Sequence, residues 1–159
     1  MSNFGHVKRV TRSVGGREYT FRCKMEYRWA VWCQFRKEQG LILDWWYEDE
    51  ESLLTLETKY FKNKKMYLPD FTIKTLDDCY EYEETKGYFT PKDYTKIKLA
   101  AEQYDNPITL IFERLNNTKS LRAQYGRAQR LEPHIKRVIY DAGKSIFKPI
   151  QGLFDIDLR

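Results

Sequence analysis

Cysteine is scarce in this chain, and the three that occur, Cys23, Cys33 and Cys79, form no C-x-x-C pair. An odd number cannot be fully paired within one chain, so the spacing points to reduced packing residues and away from a zinc ribbon or a disulfide scaffold. Histidine is scarcer still. His6 and His134 stand alone, which leaves neither a His-based triad nor a His-rich metal site. The uninterrupted apolar runs are far too short to cross a bilayer, and the stretch Met1 to Arg9 lacks the apolar core of a secretory signal. The expectation is therefore a cytoplasmic protein without a membrane partner. Internal repeats and low-complexity segments are also missing, which excludes solenoids and tails. What is plentiful is globular material: 42% hydrophobic and 16% aromatic residues over a length of 159, enough for one domain with a real core.

Charge is abundant and unevenly placed. Lys8 to Arg28 carries seven basic residues against two acidic ones, and Arg114 to Lys148 carries nine against two. Between them, Asp44 to Glu57 holds six acids, Asp44, Glu48, Asp49, Glu50, Glu51 and Glu57, and no base. Two basic ends around an acidic middle fit a protein that grips phosphates with its ends, while the acidic run, Glu48 included, forms a solvated edge that supplies no ligands. On this reading DNA binding falls to Arg9, Arg12 and Arg17 near the start and to Arg122, Arg127, Arg130, Lys136 and Arg137 near the end. The bland alternative is that such runs only keep the domain soluble.

Pattern and punctuation give the elements. Val7 to Arg22 alternates around Gly15-Gly16, which predicts a short hairpin or arm. Met25, Trp29, Trp32 and Phe35 recur at helical spacing from Lys24 to Gln39, with Gly40 as the stop and Glu26, Ala30 and Cys33 along one edge. Leu41 to Tyr47 and Leu53 to Thr58 read as strands around the acidic turn Glu48 to Ser52. Thr90 and Pro91 predict a capped helix reaching about Tyr104, and Ile108 to Phe112 a buried strand. Thr118 to Ala142 reads as basic helix, broken in two at Pro133. Strands alternating with helices predict an α/β fold, a mixed sheet of four to five strands flanked by helices. Residues 1–159 form one domain: a basic arm over 1–22, a core over 23–113, and a basic helical C-terminal extension over 114–159.

The chemistry concentrates in one predicted hairpin. A three-residue loop at Leu76-Asp77-Asp78 sets Thr75 against Cys79 and, further out, Asp70 against Glu84. Opposed residues share a face with Cβ atoms about 5 Å apart, and Lys86, two residues beyond Glu84, shares it by alternation. Facing carboxylates repel unless a cation sits between them, which is the logic of a divalent-metal site. A two-residue loop would turn Glu84 to the other face and abolish the site. Each residue has a duller reading: Asp70 as a turn acid, Glu84 as a surface partner of Lys86 or Lys74, Lys86 as an exposed cation, Glu26 as an acid placed by the helix dipole.

Pro69-Asp70 followed by Glu84-Thr85-Lys86, with a glutamate-bearing helix upstream and a helix and strand downstream, resembles the PD-(D/E)XK nuclease superfamily, and small phage or mobile-element endonucleases in particular. The resemblance spans Arg22 to Glu113. A second triplet, Glu57-Thr58-Lys59, precedes the Pro-Asp and lies outside the pattern. The resemblance implies a nuclease domain hydrolysing phosphodiester bonds with Mg²⁺ or Mn²⁺. Asp70, Glu84 and the backbone carbonyl of Thr85 would be the metal ligands, Glu26 would complete the shell, and Lys86 would orient the attacking water. It further implies a nicking or structure-selective DNA endonuclease, monomeric or homodimeric, in the host cytoplasm if phage-encoded. The alternative is a DNA-binding or assembly protein that keeps the fold without catalysis.

Overall fold

Gly15 and Gly16 both take positive φ, +60° and +80°, the requirement of the two-residue turn that best matches the twist of a hairpin. They join β1 (Val10–Val14) to β2 (Arg17–Phe21), as the alternation predicts. This computed structural model describes residues 8–63 and 65–159; residues 1–7, with His6 and most of the stretch read for a secretory signal, and Lys64 lie outside the described residues. Helix α1 (Lys24–Glu38) follows. Its first-turn acid, Glu26, accepts the Arg22 N–H at 2.7 Å, a favoured place for a carboxylate beside the positive end of a helix. Gly40, at φ +72°, stops it.

The remaining strands are β3 (Asp44–Tyr47), β4 (Leu54–Thr55), β5 (Met66–Tyr67), β6 (Phe71–Lys74), β7 (Tyr80–Lys86), β8 (Ile108–Phe112) and β9 (Arg137–Ile139). β4 pairs β5 in a small ribbon, and the main sheet runs β3-β6-β7-β8-β9. Its first two pairings are antiparallel and its last two parallel, so the fold is α/β with a mixed five-stranded sheet. α2 (Pro91–Gln103) is the crossover from β7 to β8 and opens on the predicted cap: Thr90 and Asp93 each bond the other's backbone N–H. α3 (Arg122–Leu131) and α4 (Lys148–Phe154) complete the helices.

Two apolar cores lie on the two faces of the sheet. Trp29, Phe21, Phe71 and Ile111 anchor the one beneath α1, the first hairpin and α4; Phe89, Ile97, Leu110 and Leu131 anchor the one beneath α2 and α3. Each fully buried side chain of this size contributes about 1.5–3 kcal/mol.

One stretch departs from the sequence reading. Of Thr118 to Ala142 only Arg122–Leu131 is α-helix; Pro133 sits in a short 3₁₀ turn, Glu132–His134, and Arg137–Ile139 is a strand, not helix. The reason is that β8 leaves an open parallel edge, and pairing there satisfies backbone groups that a helix restarted after proline would leave exposed. Part of the basic tail is thereby built into the sheet.

Candidate functional site

The hairpin β6–β7 has the register that the site requires. Phe71 pairs Glu83 and Lys74 pairs Tyr80, the Thr75 N–H donates to the Cys79 carbonyl at 2.9 Å, and Asp78 takes the left-handed turn position at φ +63°. One step beyond Phe71, Asp70 stands opposite Glu84. Both are buried, at 2% and 5% exposure, as is Glu26 at 4%. Glu83, the neighbour of Glu84, faces the opposite core, where Trp29 Nε1 donates to it at 2.9 Å and Arg36 pairs with it. The acidity on both faces of this strand thus splits into one structural and one candidate functional carboxylate.

Asp70, Glu26 and Glu84 are bonded in the same way. One oxygen of each is fixed by the fold and the other meets a cationic side chain. Asp70 Oδ2 accepts from the Thr85 N–H and hydroxyl, both at 2.9 Å, while Oδ1 meets the Arg22 guanidinium. Glu26 Oε2 accepts from the Arg22 N–H and the Tyr47 hydroxyl, both at 2.7 Å, while Oε1 lies 3.0 Å from Arg22 Nη2. Glu84 Oε2 accepts from the Tyr67 hydroxyl at 2.9 Å and the Asp70 N–H at 3.2 Å, while Oε1 lies 3.5 Å from Lys86 Nζ. Lys86 also reaches Asp93 of α2, at 3.2 Å. Of the four side chains named from sequence, Asp70 and Glu26 are joined through Arg22, while Glu84 accepts from the Asp70 backbone N–H and turns its other oxygen to Lys86. Thr85 joins Asp70 through its N–H and hydroxyl.

Glu48, expected in the solvated edge, is instead partly buried against Arg22. The pairing of β3 with β6 sets Tyr47 against Phe71; the next residue, Glu48, turns left-handed at φ +46° and donates its N–H to the Asp70 carbonyl at 2.8 Å. Its carboxylate meets Arg22 Nε at 2.9 Å. One oxygen each from Glu26, Glu48 and Asp70 lie within 4.8 Å of one another. The sequence signal for Glu48 existed only in a long-range register. Arg22, the second residue not singled out, looked like one more base of the arm.

Burial sets the electrostatics. It pushes the Asp70 carboxyl well above the usual carboxylate range, Glu84 adds to the rise, and Arg22 opposes it. Glu84 is raised by burial as well, against the pull of Lys86 and the Tyr67 hydroxyl. For the cations burial works the other way but is outweighed: Asp70, Glu26 and Glu48 hold Arg22 charged, and Glu84 and Asp93 hold Lys86 charged. Carboxylates fixed on one side and costly to ionise on the other suit a small hard cation, and the donor set is all oxygen. Cys23 lies nearby with its thiol pushed up, chiefly by burial, and so is a poor soft ligand.

The site opens into a cleft of about 1150 Å³ outside the carboxyl ends of the parallel strands, between the residues after β7, those after β8 and the start of α1. This is where open α/β sheets place ligands. Thr85, Lys86, Glu26 and Arg22 form its inner wall, and Lys24, Arg28, Arg114 and Lys144 contribute further positive charge. Arg28 is paired with Glu113 at 2.7 Å.

None of the residues named from sequence for DNA binding lines this cleft. Arg9, Arg12, Arg17, Arg122, Arg130 and Arg137 lie on the exposed surface. Lys136 pairs with Glu81 at 2.9 Å, and Arg127 donates to the Phe89 carbonyl. Glu57 and Lys59 of the second triplet are exposed and stand apart from the cleft. Among the described residues no helix is long and apolar enough to cross a membrane. Comparison with protein-family models, with curated proteins and with solved structures finds no match to this chain.

Proposed function

We propose that this protein is a metal-dependent phosphodiester hydrolase acting on DNA in the cytoplasm, a nicking endonuclease of the PD-(D/E)XK type. The observation that carries the reading is the buried Asp70–Glu84 pair, in facing register, which is joined through Thr85 and Lys86 to the wall of a cationic cleft.

Asp70, Glu84 and Glu26 would hold Mg²⁺ or Mn²⁺, with Glu48 joining them and the Thr85 carbonyl as a backbone donor. When bound, such an ion neutralises the carboxylates, polarises the scissile phosphate and makes a nearby water more acidic. The remaining work falls to the protein. Thr85, Tyr67, Tyr47 and the Arg22 N–H fix one oxygen of each carboxylate, so little reorganisation is needed at the moment of reaction. Lys86, held charged, is placed to orient the water and to stabilise negative charge growing on the phosphoryl oxygens. Lys24, Arg114 and Lys144 supply the attraction that a cluster of carboxylates denies to a phosphate backbone. One site per chain makes one cut per visit, hence nicking by a monomer.

One observation favours the alternative of a DNA-binding protein without catalysis: Arg22 already pairs with three of the carboxylates. Incubation with supercoiled plasmid separates the two. Hydrolysis predicts nicked circles with Mg²⁺ or Mn²⁺, none with a chelator and none from Asp70→Asn. Retarded but intact plasmid under every condition supports the binder.

A further inference from the structure

Arg22 follows β2 directly and precedes α1, so its side chain starts at the rim of the cleft. It reaches inward to carboxylates from three separate elements. Its guanidinium lies 3.0 Å from Glu26 Oε1, its Nε lies 2.9 Å from Glu48 Oε1, and it pairs with Asp70 Oδ1. On Asp70 and Glu26 these are the oxygens that the fold leaves unfixed. The opposite oxygens are held by Thr85, Tyr47 and backbone N–H groups that do not involve the guanidinium. The guanidinium thus stands where a divalent ion would need to stand. It is also able to leave, because its side chain is 52% exposed while Asp70 and Glu26 are almost fully buried.

Resting on the metal-dependent reading above, we infer that Arg22 is an exchangeable cation: it occupies the carboxylate cluster when no ion is bound and, displaced by a divalent ion, turns into the cleft to grip a phosphate of the substrate. Two consequences follow from charge alone. A cluster filled by Arg22 takes up the ion less readily than an empty one, since the ion must first break charge-assisted bonds. Phosphate binding gains a cation only after the ion has entered, so metal and nucleic acid bind with positive coupling and each raises the affinity of the other. The backbone N–H of Arg22 keeps its bond to Glu26 throughout, so the start of α1 does not move.

The test uses the full chain, wild type and Arg22→Gln, titrated calorimetrically with Mn²⁺ and then with a cleavage-resistant phosphorothioate oligonucleotide across a range of salt. Arg22→Gln should bind Mn²⁺ at least about tenfold more tightly, the equivalent of one charge-assisted bond no longer broken. With Mn²⁺ present the wild type should show a slope of log affinity against log salt steeper by about 1 than the variant, and without Mn²⁺ the two slopes should coincide. In the wild type itself, where no substitution can disturb folding, the Arg22 Nε–H resonance should be protected from exchange without metal and lose that protection on addition of Mg²⁺. Equal or weaker Mn²⁺ affinity in the variant, or protection that survives Mg²⁺, overturns the exchange while leaving metal-dependent hydrolysis standing. Absence of Mn²⁺ binding in both proteins overturns the metal reading and this inference with it.

Discussion

Lys86 carries the sharpest consequence of the site geometry. Its ammonium lies 3.5 Å from Glu84 and 3.2 Å from Asp93, with only 23% of the side chain exposed. At an effective dielectric of about 20, each contact at roughly 4 Å is worth about 4 kcal/mol of Coulomb energy. The cost of desolvating the charges removes most of this, leaving a net of about 1.5–3 kcal/mol, the usual yield of a hydrogen bond to a charged group. Lys86→Met should therefore lower stability by about that amount and leave the fold intact. The effect on chemistry should be larger. Loss of one positioned group that stabilises charge on the reacting oxygens costs about 10²- to 10³-fold in rate. Single-turnover nicking of plasmid at saturating Mn²⁺ reads the second effect and thermal melting the first. Lys59→Met, in the other Glu-Thr-Lys triplet, is the control and should change neither, since that lysine is exposed and apart from the cleft. A Lys86→Met protein that nicks at the wild-type rate would refute the assignment, whatever its stability.

Further outcomes follow from the same geometry. The raised Asp70 carboxyl favours the protonated form in the folded state, so its contribution to stability is full below the usual carboxylate pKa of about 4 and is lost as pH rises through the elevated value. In chelator, the melting temperature of Asp70→Asn relative to wild type should accordingly climb between about pH 4 and neutrality; a difference that is flat or falls with pH contradicts the electrostatic account. Neighbouring glutamates should behave oppositely. Glu83→Ala strands the buried Arg36 and should cost about 3–5 kcal/mol in denaturant unfolding, whereas Glu84→Gln should abolish nicking and keep the fold. Removing Lys24, Arg114 and Lys144 together should flatten the salt slope of DNA binding by about 3 if all touch phosphate. Removal of Arg122 and Arg130 should leave that slope unchanged, and the reverse pattern would return the interface to the C-terminal segment.

Local signals carried far into this structure. Gly15-Gly16, Gly40, Thr90-Pro91 and the Leu76-Asp77-Asp78 loop each act through the backbone of their own neighbourhood, and the elements they delimit form as the pattern predicts. The hairpin register, and with it the approach of Asp70 to Glu84, was legible for that reason. Glu48 and Arg22 were not, because their place depends on pairings between distant strands: Glu48 reaches Asp70 only through the β3–β6 ladder, and Arg22 reaches all three acids only once α1 packs on the sheet. In β9, the β-branched pair Val138-Ile139 after a proline break was a strand signal. The helical reading of Thr118 to Ala142 masked it. The cleft cations were counted within the basic ends, but nothing local shows that Arg114 and Lys144 lie beyond the ends of adjacent parallel strands.

The central claim is that Asp70 and the carboxylates around it are built to hold a divalent ion. Anomalous diffraction from crystals of the wild-type protein soaked in Mn²⁺ tests it most directly. The account predicts a peak within about 2.0–2.3 Å of an oxygen of Asp70 and of a second carboxylate from Glu84, Glu26 or Glu48, and no such peak in Asp70→Asn. A map without signal at these side chains, with Arg22 still seated on Asp70 at saturating Mn²⁺, would contradict it.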